Sequence, residues 1–288
     1  MMPELNTGIA ANVPARAEMT AAMIAGESFT RRAPRLGMGE PLDLRGGDSH
    51  ALLRALELGF EWQLDLRNAA QAAFASASVD GAWFKLDPLL LLGEPGVGRT
   101  HVARRLAHVA GVPHVALDLT DSSGLDQLWP RPCGPDLILP SLPVLAMALG
   151  GCANPLVSVV GIERLDGGAQ RKFASLLEPE LASRWVDYAT GATVDLRQVS
   201  WIVQCSNEAS LAPALRRLLR PIELVWPDPR HLPLHHAEVL AEAAIDLGVI
   251  DRIRDRAAEG LRRIAGADPR STAALYERAS RWLVAEFN

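Results

Sequence analysis

The sequence predicts an α/β fold, a parallel sheet flanked by helices, followed by a small all-helical unit. Three observations carry this expectation. Short apolar runs such as Leu89–Leu92, Leu156–Val160 and Trp201–Gln204 have the length of strands buried on both faces. They alternate with stretches of helical period, as a layered parallel sheet requires. After Asp228 the strand-like runs cease, and residues 229–288 read as helix only.

The elements follow in order. Residues 1–48 are rich in Ala, Met, Pro and Gly without a sustained period, and are expected to form a flexible arm. Residues 49–228 then carry the α/β domain. Two helical patterns, Ala51–Leu58 and Leu64–Ala75, precede the strand Leu89–Leu92, which stops at Gly93. Val102–Ala110 places apolar residues at 102, 106, 109 and 110, one helix face, and ends at Gly111 and Pro113. Val115–Leu119 reads as a second strand and Leu142–Leu149 as a helix. In residues 229–288 the helical patterns are His235–Leu247, Asp251–Ala265 and Pro269–Phe287. Asp268 suits the cap of the last and Pro269 its first position, with Leu275, Ala279, Trp282 and Leu283 on one face. His231, His235 and His236 cluster, but Pro233 interrupts helical pairing there, so a solvated loop is expected.

Composition excludes several functions. A net charge of −5 and a pI near 5.8 argue against a broad nucleic-acid binder, and nine Arg balance nine acids in residues 229–288. No apolar run is long enough to span a membrane. Residues 1–34 lack the apolar core of a secretory signal. Cys133, Cys152 and Cys205 are odd in number and far apart, against a disulfide framework or zinc site and in favour of a reducing, cytoplasmic setting. The seven Trp are scattered and read as core or interface residues. The basic residues are 27 Arg and two Lys, Lys85 and Lys172.

That bias meets the most informative motif. Gly93, Glu94, Pro95, Gly96, Val97, Gly98, Arg99 and Thr100 fit the phosphate-loop pattern G-x-x-x-x-G-K-[ST] at every defined position but one, where Arg99 replaces Lys. The loop lies between an apolar strand and an amphipathic helix. Glycines let successive backbone N–H groups turn toward one anion, and the helix start adds its positive dipole end. These eight residues and His101 are the expected nucleotide contacts, with Thr100 the expected Mg²⁺ ligand. Arg99 keeps the charge of Lys but spreads it over a planar fork.

With the segments that follow, the sequence resembles the AAA+ ATPases, and within them the ATPase module of Lon-type proteases. Asn154, Pro155, Leu156 and Val157 lead into what looks like the Walker B strand. Leu176, Leu177, Glu178, Pro179 and Glu180 resemble the family's leucine-leucine-glutamate segment, continued by Trp185 to Tyr188 and Val194 to Leu196. Val199 to Val203 with Ser206 and Asn207 resemble the sensor-1 strand and its Asn. The last helices resemble the AAA+ lid, with Arg270 at the sensor-2 position. The resemblance runs from about residue 50 to the end. It implies ATP or ADP and Mg²⁺ as cofactors, a homo- or hetero-oligomeric ring partner and a protein client.

Departures from the family are as informative. The two Walker B acids fall on Val160 and Gly161, or, with a one-residue slip, on Gly161 and Ile162; neither register supplies a carboxylate. Glu163 and Asp166 follow in the turn. An arginine finger is expected near Leu215–Arg220, where Arg216, Arg217 and Arg220 lie on a surface helix; the family residue aligns with Leu218, beside Arg217. The pore-loop segment Cys133–Pro140 lacks an aromatic residue, Trp129 lying earlier, which speaks against polypeptide threading. The chain stops after the lid, so the expectation is an ATPase unit without the Ser-Lys protease domain. Three readings stand at this level. The first is a nucleotide-stabilised scaffold or regulatory subunit with weak or lost hydrolysis. The second is an active ATPase of the chaperone type, with Glu163 and Asn207 as catalytic groups. The third is a nucleic-acid-linked loader, disfavoured by the charge balance.

Overall fold

The computed structural model describes residues 42–46, 49–76, 83–120, 122–132, 138–265 and 271–287. Helices α1 (Ser49–Gly59) and α2 (Leu64–Ser76) precede the sheet. Then follow β1 (Leu89–Leu92), α3 (Arg99–Ala110), β2 (His114–Asp118), α4 (Leu142–Gly150), β3 (Leu156–Val160), α5 (Gly167–Leu177), β4 (Ser200–Gln204) and β5 (Arg220–Glu223). The chain closes with α6 (Leu232–Asp246), α7 (Ala257–Ile264) and α8 (Thr272–Phe287). The α/β class expected from the alternating runs is thus observed.

These five strands form one parallel sheet, in the order β2-β3-β4-β1-β5, while two short antiparallel pairs, Arg131–Pro132 with Ile138–Leu139 and Trp185–Asp187 with Ala192–Val194, lie outside it. Period-two alternation divides their side chains between two cores. Leu90, Val157, Val159, Trp201 and Val203 join α4 and α5 on one face. Leu89, Leu91, Leu156, Ile202 and Ile222 join α1, α2 and α3 on the other. Each such side chain contributes about 1.5–3 kcal/mol on burial. Two polar residues inside the strands are paired rather than orphaned: Ser158 Oγ with His114 Nε2 (2.9 Å), and Ser200 Oγ accepting from the Leu86 N–H (3.0 Å).

Strand β5 corrects one expectation. Arg220 does not lie on a surface helix; the short helix ends at Arg216, and Arg220 opens the strand. Pro221, which donates no hydrogen bond, is tolerated because β5 is an edge strand paired only with β1.

The arm expected over 1–48 is described only at residues 42–46, and these are tethered. Asn154, fully buried, accepts from the Arg45 N–H (2.8 Å) and donates to the carbonyls of Arg45 (2.9 Å) and Phe84 (2.7 Å).

The last three helices share an apolar cluster of Leu240, Ala243, Ala244, Val249, Ile253, Ile264, Ala279 and Leu283. Gly260 permits their close approach, since a Cβ there would stand 2.7 Å from the Trp282 ring. The second helix begins later than expected, at Ala257 after a 3₁₀ turn Arg254–Arg256. Asp268, Pro269 and Arg270 lie outside the described residues. The histidine cluster is not on a solvated loop. Pro233 sits in the first turn of α6, where its missing N–H has no intrahelical partner to lose, and the helix carries His235 into the interior at 2% exposure.

Candidate functional site

Residues Gly93–Gly98 turn from β1 into α3 at the C-terminal edge of the sheet. Gly96 and Gly98 adopt φ of 92° and 99°, the left-handed region that L side chains avoid. At Gly98 a Cβ would also lie 2.9 Å from Thr272 Oγ1. The first turn of α3 has no side-chain cap, so its N–H groups and dipole face an incoming anion.

The final helix is seated on this loop. The Thr272 N–H donates to the Gly96 carbonyl (2.9 Å), and Thr272 Oγ1 shares a hydrogen bond with His235 Nε2 (3.1 Å). A second contact binds α6 to α3. Glu242, 4% exposed, takes His101 Nδ1 on one oxygen and Arg104 Nη1 on the other (2.7 Å). Arg104 also pairs with Asp246, and Arg105 with Glu238 (2.7 Å). Burial alone would raise the Glu242 pKa, but His101 and the two arginines outweigh it and hold the group below its ordinary value. His235 is pushed down to about 3 by burial, with His101 and His236 adding to the shift. It is therefore neutral near pH 7, among Trp62, Trp226 and His101, with ring centroids 5.8, 5.3 and 5.6 Å away. The His101 side chain, expected among the nucleotide contacts, is thus committed to the α3–α6 junction.

Thr100 meets a residue the sequence reading passed over. Its hydroxyl hydrogen-bonds to Gln204 Oε1 (3.0 Å). Gln204 closes β4, is 3% exposed, and pairs in register with Leu91 and Val160. Its Nε2 is buried without a partner, and so is Arg99 Nη1. A polar side chain ending an otherwise apolar strand was the signal available in the sequence.

The remaining expected residues are dispersed. β3 ends at Val160, followed by Gly161 with φ 81°. In the slipped register Ile162 points into the core, fully buried. Glu163 lies in the 3₁₀ turn after β3, with Oε2 buried and unpartnered. Asn207 is exposed and uses its side-chain oxygen on the Ala209 N–H (2.9 Å). Arg217, its side chain 70% exposed, reaches Glu178 at 3.3 Å. Arg270 and residues 133–137 of the expected pore segment lie outside the described residues.

The Mg²⁺ implied by the resemblance finds a poor fit. The one hydroxyl offered, Thr100, gives its proton to Gln204 and keeps its lone pairs, so it supplies a single ligand. No carboxylate ends β3, and no group of three or more His, Cys, Asp or Glu gathers to hold a metal among the described residues. The unpaired groups at Arg99 and Gln204 are N–H donors, which call for an acceptor rather than a cation.

No family model matches the chain. A mitochondrial Lon protease homologue of Candida dubliniensis is 28% identical over 159 residues, 52% of this chain and 14% of that protein. Lon protease of Flavobacterium johnsoniae is 28% identical over 143 residues, 47% of this chain and 17% of that protein. The chain is similar in sequence to Lon proteases. These matches bear out the AAA+ relationship expected from the phosphate loop and the ordered segments after it. The Lon-like stretch corresponds to about one seventh of the length of the Candida relative. Among solved structures, a RuvB mutant of Thermotoga maritima aligns with a TM-score of 0.41 and 16% identity, covering 77% of this chain and 70% of that one. No helix among the described residues is long and apolar enough to cross a membrane.

Proposed function

We propose that the chain binds ATP or ADP at Gly93–Thr100 and hydrolyses ATP weakly or not at all. It acts as a nucleotide-stabilised scaffold or regulatory subunit in an oligomeric ring. One observation carries this reading: an intact glycine-rich loop, gripped by the last helix through Thr272, shares the sheet edge with a strand that ends at Val160 and is followed by Gly161. Phosphate binding needs the loop's N–H groups, whereas phosphoryl transfer also needs carboxylates that order metal and water. Residues 49–228 form the nucleotide-binding domain and 229–288 its lid, with Arg270 a further nucleotide contact by the resemblance. Arg217, exposed at the surface, is the finger offered to a neighbouring subunit.

Calorimetric titration of ADP and ATP, with and without Mg²⁺, tests the binding. Binding in at least one condition, weakened at least tenfold by Arg99→Ala, is expected. No binding in either condition, or indifference to Arg99→Ala, overturns the reading. Steady-state hydrolysis tests the rest, with turnover far below roughly one per second expected, the low end of ordinary enzymes. A second reading, an active ATPase, rests on the buried, unpartnered Oε2 of Glu163. Turnover near one per second that Glu163→Gln abolishes would establish it. Light scattering with and without nucleotide reads the ring, and a monomer in both removes Arg217 from any trans role.

A further inference from the structure

We propose that this site takes its nucleotide without a divalent cation, with Gln204 acting as a positioning residue for the phosphates. The proposal rests on the nucleotide-binding reading above and departs from it in the metal. The Gln204 carboxamide is fixed at one end: Oε1 accepts from Thr100 Oγ1 at 3.0 Å, which also orients the hydroxyl of the first turn of α3. Its other end, Nε2, hangs on the same carbon, in a side chain 97% buried, and has no partner. A buried N–H₂ left unpaired destabilises the fold unless something accepts from it. Arg99 presents a second such donor, Nη1, from the first turn of the same helix.

The electrostatics of this set are one-signed. Backbone N–H groups at the start of α3, the Arg99 guanidinium and the Gln204 amide all offer hydrogens, and each is satisfied by a phosphate oxygen. A Mg²⁺ ion needs oxygen ligands in octahedral array and is commonly held through carboxylates together with phosphates. Here the residues beside Gln204 in register, Val160 and Leu91, are hydrocarbon. The Thr100 proton is directed at Gln204, so the neutral amide occupies the ground that an acidic group would need to hold a hydrated cation. Arg99 supplies the charge neutralisation that the metal otherwise provides. Two acidic groups near the end of β3 are the internal competitors to this account: Glu163, whose Oε2 is buried without a partner, and Asp118, which pairs in register with Val160.

The test is isothermal titration of ADP and ATP into the full chain, once in EDTA and once in excess Mg²⁺, for wild type, Gln204→Ala, Gln204→Glu and Glu163→Gln. Wild-type affinities within about threefold of each other in the two conditions are expected. Gln204→Ala should weaken both by about tenfold or more, since a hydrogen bond to a charged group is lost. Gln204→Glu should weaken binding most in EDTA and regain it with Mg²⁺, because the added carboxylate repels phosphate until a cation bridges them. Wild-type binding that requires Mg²⁺, or a Mg²⁺ enhancement abolished by Glu163→Gln, overturns this inference and leaves the nucleotide reading standing. Absence of binding in both conditions overturns both. Should Gln204→Ala be unstable, the wild-type comparison alone decides the metal question.

Discussion

Replacing Glu242 with Gln removes one charge from the buried junction between α3 and α6 and keeps its volume. Glu242 is 4% exposed, takes a hydrogen bond from His101 Nδ1 on Oε2, and is ion-paired through Oε1 with Arg104 Nη1. A carboxamide keeps one accepting oxygen but turns an N–H₂ toward the second donor, so one of those contacts becomes a clash of hydrogens. Breaking a buried pair from one side typically destabilises by about 3–5 kcal/mol. Arg104 retains Asp246, which points to the lower end, about 3 kcal/mol. Urea unfolding followed by Trp fluorescence reads it, because Trp62 and Trp226 flank His235 at the same junction. Glu277→Gln is the control. Its Arg281 partner stands 4.0 Å away with both side chains 78% exposed, a pair worth under about 0.5 kcal/mol. If Glu242→Gln loses no more than Glu277→Gln, the junction is not an electrostatic clamp.

Two further outcomes follow from buried groups. His235, at about 3 in the folded chain against 6.5 unfolded, binds its proton only on unfolding. Its stabilisation is complete above pH 6.5 and is lost as pH falls from there toward 3. Between pH 6.5 and 5 that amounts to about 2 kcal/mol from this residue. A His235→Asn variant should show a flatter decline in urea midpoint over that range, and an unchanged slope would remove His235 from the acid response. Asn154→Ala strips three backbone hydrogen bonds, two to Arg45 of the 42–46 segment and one to Phe84, and should lose about 2–4 kcal/mol. A loss under about 1 kcal/mol in thermal or urea unfolding would show that the segment is not held there.

How much of this was legible in the sequence follows from how local each signal is. β1 is a continuous apolar run, and β3 and β4 are mostly apolar, each bounded by Gly or turn residues, and the pattern alone finds them. β5 carries a single core residue, Ile222, between Pro221 and Glu223, and pairs as a strand only because β1 lies beside it. The phosphate loop was readable because its geometry depends on glycines at fixed spacing. The groups around it were not. Gln204 and Thr100 are 104 residues apart, as Glu242 and His101 are 141 apart, and no spacing rule links such pairs. Glu242, Arg104 and Arg105 carry no sequence signal that distinguishes them from solvated helix residues, yet Arg104 meets Glu242 and Arg105 meets Glu238 across an interface. Pro233 occupies the first turn of a helix, a place that spacing alone does not tell apart from an interruption.

The backbone after β3 makes the introduction of the two acids expected from the resemblance a sharp test. The resemblance puts those acids at Val160 and Gly161. Gly161 holds φ 81°, and a Cβ there would lie 2.9 Å from both the N and Cγ2 of Thr120. A glutamate at 161 therefore meets a backbone nitrogen that cannot swing aside, besides the strain of about 1 kcal/mol or more that a side chain incurs in this region. In the slipped register the second acid would replace Ile162, fully buried in the core, where an unpaired carboxylate is more costly still. So the double variant Val160→Asp with Gly161→Glu should unfold about 2–4 kcal/mol more readily than the parent and should gain no turnover. Val160→Asp alone keeps Gly161 and separates the two effects: its stability loss should be the smaller one. A double variant that folds as well as the parent and hydrolyses ATP at an ordinary rate would show that the backbone still accommodates the catalytic pair. In that case, only point substitution separates this chain from an active ATPase.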